Sequence, residues 1–205
     1  MILLSYCRIN DKCVVKDGKI IISDLPITHS LSHIYRYLQL DYPKFFKMDN
    51  LSKLGFLGAE LLLNAHFQDI ENRQQKRNIS IVCCNRAASL DNDRRYQETI
   101  KTSEFFPSPA VFVYTLPNIV TGEIAIRHKI MGETSFFVLP KFSAATIWEL
   151  SQSAFDDSEI DYVLSGWINF EFGKSDLFLT LLQRSQNPNT NVNETILDQL
   201  YTKYQ

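Results

Sequence analysis

Three groups of side chains in this sequence could do chemistry: cysteines, histidines and one lysine at a turn. The four cysteines are Cys7, Cys13, Cys83 and Cys84. They show neither paired metal-ligand spacing nor a disulfide framework. Cys83-Cys84 lies in the apolar run Ile79–Cys84, which reads as a strand, where a cysteine acts as a small hydrophobe. His29 and His33 stand at i,i+4 spacing, but the Glu of His-Glu-x-x-His and a third ligand are missing. His66 reads as lying at a helix end. His128 falls late in a helix, where positive charge suits the dipole. There is no Gly-x-Ser-x-Gly and no P-loop, so no metal and no cofactor are expected. That leaves Lys141, just after Pro140 at a turn into a helix starting near Ser143. A cation at a helix N-terminus is disfavoured by the dipole, so Lys141 should face solvent or meet an anion. Acting as a nucleophile, it would need burial to lower its pKa.

Lys141 belongs to a central stretch, Phe105 to Leu150, that reads as proline-rich loop, helix, glycine turn, short strand and helix. Thr115 or Leu116 is placed to cap the first helix, with Pro117 near its first position. Ile119, Val120, Ile124 and Ile126 form an imperfect apolar stripe. Arg127, His128 and Lys129 crowd its last turn, and Gly132 reads as its stop. Phe136-Phe137-Val138-Leu139 is too short for a helix and predicts a buried strand.

Upstream, Ile2–Ile9, Cys13–Val15 and Ile20–Ile22 predict β-structure, with a hairpin at Asp17-Gly18. Leu31, Ile34, Tyr35 and Leu38 predict a short helix from Ser30. Asp49 opens a longer helix with Leu51, Leu54, Leu57, Leu61 and Leu62 on one face. Gly55 and Gly58 would let another element approach it closely. Glu71–Asn78 is a polar connector, and Asp91–Lys101 reads as helical. Asp161–Trp167 reads as a strand, and Phe170 to Leu182 as a strand pair around Gly173-Lys174-Ser175. Gln186–Val192 reads as a loose linker, followed by a short helix capped by Asn193.

The central stretch resembles the N-terminal half of the β-ketoacyl synthases, of the thiolase superfamily. Pro117-Asn118 and Gly122 match the start of the family's helix, and Gly132 its end, with Glu133-Thr134 replacing Pro-Asn. Tyr42–Asp49 and Asp161–Trp167 resemble two further family segments. The resemblance implies an α/β fold, half of a thiolase-like fold with a mixed sheet flanked by helices, lacking the C-terminal ketosynthase half. It puts the family's nucleophilic cysteine position on Lys141, and the family's histidines in the half that is missing here. No catalytic residue is then expected. Asn118, Gly122 and Phe142 become candidates for an acyl pocket or tunnel. Phe136, Phe137, Val138 and Leu139 become interface candidates, because the family places that strand at its dimer axis.

Strands alternating with helices independently point to the α/β class. A length of 205 residues with 45% hydrophobic and 21% charged residues suits one ordinary globular domain over 1–205, with 186–205 as a loosely attached tail and short helix. A net charge of −2 argues against a general nucleic-acid binder. No run approaches the ~20 apolar residues of a membrane span, and the reduced cysteines fit the cytoplasm. The resemblance implies a non-catalytic subunit, like chain-length-factor partners of aryl-polyene and flexirubin ketosynthases. Its expected partners are an active ketosynthase or a second copy, with an acyl carrier protein met indirectly. Two other functions remain open: a minimal acyltransferase or hydrolase, and a stand-alone acyl-binding or interaction protein.

Overall fold

The computed structural model describes residues 1–25, 30–67, 78–100, 106–185 and 191–204. Seven strands form one mixed sheet in the order β3-β2-β1-β7-β6-β4-β5. Strands β1 (Ile2–Asn10), β2 (Cys13–Lys16) and β3 (Lys19–Ser23) make an antiparallel meander. Its second turn sets both Asp17 and Gly18 at positive φ, as a two-residue hairpin loop requires. Strands β4 (Ile79–Asn85), β5 (Thr134–Val138) and β6 (Tyr162–Glu171) run parallel, with β4 in the middle. Strand β7 (Lys174–Gln183) folds back on β6 and joins it to β1.

Alternate residues of these strands feed two cores. Ile79, Ile81, Cys83, Leu177, Leu179 and Leu181 face the helices α1 (Ser30–Tyr37), α2 (Asn50–Ala59) and α6 (Ile119–His128). Val82, Cys84, Trp167, Phe178 and Leu182 face α7 (Ala144–Ala154) and α8 (Glu194–Thr202). Burial on both faces is what a central parallel strand demands of its sequence, and β4 is buried throughout. The short α3 (Ala65–Phe67), α4 (Leu90–Glu98) and α5 (Pro109–Phe112) complete the helices.

Local signals hold where capping sets them. Asp49 accepts from the Ser52 N–H at 3.0 Å, Ser143 from Thr146 at 3.2 Å and Asn193 from Ile196 at 2.9 Å. The two glycines of α2 are close-approach sites. A Cβ on Gly55 would lie 2.3 Å from Val120 of α6, and one on Gly58 2.7 Å from Leu177 of β7. Beyond Ala59 the helix widens into a π-helical turn, Glu60–Asn64. That turn carries a buried carboxylate, Glu60, bound by Arg127 at 2.7 Å and approached by His128 at 3.3 Å.

Four expectations need correction. Helix α6 starts at Ile119 rather than beside Thr115 or Leu116, because Pro109–Phe112 forms its own turn of helix. It stops at Lys129, which takes the left-handed conformation itself, three residues before Gly132. Its stripe is narrower than expected: Val120 and Ile124 are buried, whereas Ile126 is exposed. Strand β5 is not buried. It is the edge of the sheet, with Phe137 38% and Val138 55% exposed, since only β4 pairs with it. In α8, Leu197 and Tyr201 sit in the second core. The polar connector up to Asn78 and most of the linker lie outside the described residues, as does His29.

Candidate functional site

The parallel strands β5, β4 and β6 end on one side of the sheet. In open α/β sheets the crevice beyond the carboxyl ends of such strands is where ligands are held. A cleft of about 470 Å³ lies there. Each strand delivers a different piece of it. The end of β4 leads to Arg86, the end of β5 to Pro140, Lys141 and Phe142, and β6 carries Trp167, Asn169 and Glu171 into the wall. Lys174, at the start of β7, lies at the same end.

The wall is aromatic and tightly held. Phe142 stacks on Tyr201 of α8 with ring centroids 3.6 Å apart, and meets Trp167 and Phe178 edge-on. Asp176 ties this wall together. Its Oδ2 accepts from the Trp167 indole N–H at 3.0 Å and the Tyr201 hydroxyl at 2.9 Å, and its Oδ1 pairs with Arg8 at 2.6 Å. Arg8 is buried and also lies over the Tyr201 ring at 4.4 Å. A buried cation with a carboxylate, two carbonyls and an aromatic face around it meets the condition for tolerating charge in a core.

The loop after β4 contains no glycine, yet Ala88 takes a positive φ of 48°. Two asparagines hold it there. Asn85 bonds both the N–H and the C=O of Ala88 at 2.9 Å, and Asn169 accepts from the N–H groups of Arg86 and Ala87. Glu171 pairs with Arg86 and lies 3.9 Å from Arg94. In the β6–β7 turn, Phe172 and Gly173 both have positive φ, at 52° and 75°. Such a turn favours Asn, Asp or Gly at its first position. Phe172 there costs about 1–2 kcal/mol of backbone strain. Its ring is 73% exposed at the cleft rim, with the Arg94 guanidinium 4.5 Å above it.

The residues singled out in the sequence divide sharply. Lys141 lines the cleft and is exposed, with no ion-pair partner among the described residues. Phe142 lines it as well. Asn118 and Gly122 do not: Asn118 is exposed at the start of α6, and nothing lies within 4 Å of a Cβ built on Gly122. Phe136 to Leu139 stand along the free edge of the sheet. None of the cysteines reaches the cleft. Burial pushes the Cys7 and Cys84 thiols up to about 12, and Cys83 further still, so none of these three is a thiolate at neutral pH. No described histidine lines the cleft either. Among the described residues no cluster of three or more His, Cys, Asp or Glu could hold a metal ion, and no helix is long and apolar enough to cross a membrane. Sequence reasoning did not find Asn85, Asn169, Asp176, Phe172 or Arg8. Asn169 and Arg8 act through partners far away in the chain, but Asn85 bonds a residue three positions on, and an exposed aromatic beside a turn glycine was a signal available at Phe172-Gly173.

No protein-family model matches the chain, and no curated protein does. Solved structures do. One is the ishigamide ketosynthase/chain length factor, with a TM-score of 0.60 at 16% identity over 75% of this chain and 48% of that one. A second belongs to the ketosynthase ApeO in complex with its chain length factor ApeC from Xenorhabdus doucetiae, with a TM-score of 0.57 at 13% identity over 90% of this chain and 79% of that one. A third belongs to AntDE:AntF, a type II PKS acyl-carrier protein in complex with its ketosynthase, with a TM-score of 0.57 at 11% identity over 89% of this chain and 62% of that one. The chain thus spans about half the length of the ishigamide protein. Its mixed sheet, with helices on both faces and a cleft at the ends of three parallel strands, has the fold of the ketosynthase and chain-length-factor chains.

Proposed function

We propose that this chain is a non-catalytic, ketosynthase-like subunit of the chain-length-factor kind, acting beside an active ketosynthase in fatty-acid- or polyketide-type synthesis. The observation that carries the reading is Lys141. It stands, exposed, at the strand–helix turn where the resemblance puts a nucleophilic cysteine. Claisen condensation needs an activated thiolate and donors for the thioester oxyanion. The cleft offers no thiol and no histidine. Lys141→Cys should therefore stay inactive. A thiol at the head of α7 would gain some thiolate character, but removing even one oxyanion donor typically costs about 100- to 1,000-fold. Purified variant is incubated with acyl- and malonyl-carrier protein. Condensation well above background would overturn the reading.

The free edge of β5 is the proposed contact surface. An exposed apolar edge strand invites pairing with another chain, and backbone bonding along such an edge is a general recognition mode. Phe137 and Val138 project from it with Ile126 and Met131 also exposed nearby in sequence. A stable interface would bury roughly 1,200–2,000 Å² in total. Co-expression with a full-length ketosynthase tests the pairing. Val138→Lys should weaken it at least about tenfold, the usual scale for a charge forced into an interface centre. Val138 is more than half exposed, so the isolated variant should fold like the parent by circular dichroism. A folded Val138→Lys protein that associates like the parent would remove β5 from the interface. A chain that binds neither a ketosynthase nor itself would remove the function.

A further inference from the structure

We infer that the cleft over Lys141 binds a small organic anion with a flat apolar body, its charged group held between Lys141 and Lys174 and its body resting against Phe172. Three independent features converge. The first is charge. The net charge of the chain is −2, yet Arg8, Arg86, Arg94, Lys141 and Lys174 gather at this end of the sheet against three carboxylates, Glu171, Asp176 and, on the far side of Lys174, Asp11. The three arginines are engaged with Glu171 and Asp176, and Asp11 accepts from the Ser175 N–H, whereas Lys141 and Lys174 make no ion pair among the described residues. Free cations over a cleft with low-dielectric walls concentrate anions. The second is the helix. Lys141 lies two residues before Ser143, the N-cap of α7, a position the dipole makes unfavourable for a cation and favourable for an anion.

The third is Phe172. A phenylalanine at the left-handed first position of a two-residue hairpin breaks the local rule, and it exposes a large ring at the cleft mouth. Departures of this kind from local preference concentrate at functional sites. With the Arg94 guanidinium 4.5 Å from the ring centroid over one face, the Phe172 ring is held in place as a stacking surface on its other face. The cleft is complete within one chain, so the inference does not depend on the partner reading above. A chain that binds the anion but no ketosynthase would overturn that reading and leave this one standing.

The test uses the purified full chain with 2-naphthoate and its neutral counterpart, 2-naphthamide. Calorimetry should give one site for the acid and at least roughly tenfold weaker binding for the amide. The chain has two tryptophans, and only Trp167 lines the cleft. Naphthoate should therefore shift the Trp167 indole N–H resonance and leave that of Trp148 in place. Lys141→Gln and Lys174→Gln should each weaken binding roughly two- to fivefold, as exposed ion pairs allow, and more together. Phe172→Asn should weaken it by a similar factor while leaving the unfolding temperature equal or higher, because asparagine suits the turn. That combination separates a binding role from a structural one. The inference is overturned if millimolar naphthoate does not bind, if the amide binds equally well, if the double lysine variant is unchanged, or if the Trp167 signal does not move.

Discussion

Gly166→Ala is expected to abolish the accumulation of folded protein, or to lower the unfolding midpoint of what folds by about 10 °C or more. Gly166 sits inside β6, between β4 and β7, at φ +152°. A Cβ there would lie 2.0 Å from the carbonyl oxygen of Phe178 and 3.0 Å from the Leu179 Cα. Both are backbone atoms of the neighbouring strand. No rotamer change can relieve them, so the strands must part in the middle of the sheet. Overpacking alone costs about 1–3 kcal/mol, and the unfavourable φ adds about 1–3 kcal/mol. Against a total stability of roughly 5–15 kcal/mol this is a large fraction. The combined cost of about 2–6 kcal/mol, at about 2–4 °C per kcal/mol for a chain of this size, centres on a shift of about 12 °C. Gly122→Ala is the internal control. Nothing lies within 4 Å of its Cβ, and the residue is helical, so it should be neutral or stabilising by up to about 1 kcal/mol. A soluble Gly166→Ala protein melting with the parent would show that β6 and β7 do not approach as closely as described.

Gly166 also marks how far the sequence could be read. A glycine in an apolar strand announces a close approach without saying to what; the oxygen of Phe178 is known only once β7 folds back on β6. The same boundary recurs elsewhere. Asp49, Ser143 and Asn193 were legible as caps because each bonds an N–H three residues on. Lys129 was not legible as a helix stop, because a non-glycine left-handed residue leaves no sign in composition. The run Phe136–Leu139 was read as buried, since an apolar run does not distinguish a central strand from an exposed edge. At the cleft, Lys141 was accessible from the turn it occupies, whereas Phe142, which lines the cleft as well, was named only by resemblance. Asn169, which fixes the loop after β4, bonds residues more than 80 positions away. Arg8, which anchors Asp176, comes from the other end of the chain. Asn118 and Gly122 were carried over by resemblance alone, and the structure sets them on α6, outside the cleft lining.

Glu60→Ala is expected to cost about 3 kcal/mol at neutral pH, read as a lower urea midpoint at unchanged slope. The Glu60 side chain is 1% exposed. It accepts from Arg127 Nε at 2.7 Å and Nη2 at 3.3 Å and from Asn64 Nδ2 at 2.5 Å, with His128 Nε2 at 3.3 Å. These bonds join the π-helical turn after α2 to the last turn of α6. The truncation leaves the Arg127 guanidinium without its carboxylate. Breaking a buried pair in this way costs about 3–5 kcal/mol, and the lower end applies because Arg127 keeps some contact with water. The pH dependence has a definite sign. Burial pushes the Glu60 carboxyl upward, but the bonds from His128 and Arg127 outweigh it and hold the pKa below its ordinary value of 4.5. The unfolded chain therefore binds the proton first as pH falls. The stabilisation is fully present above about 4.5 and is lost as pH drops through the folded-state value. Asp49 works in the opposite direction, since burial raises its pKa, but it is common to both proteins and cancels in the comparison. The stability gap between parent and Glu60→Ala should thus persist from pH 7 to 5 and narrow below about 4.5. A gap that stays constant to pH 3 would mean that the Glu60 carboxylate does not carry the coupling between α2 and α6.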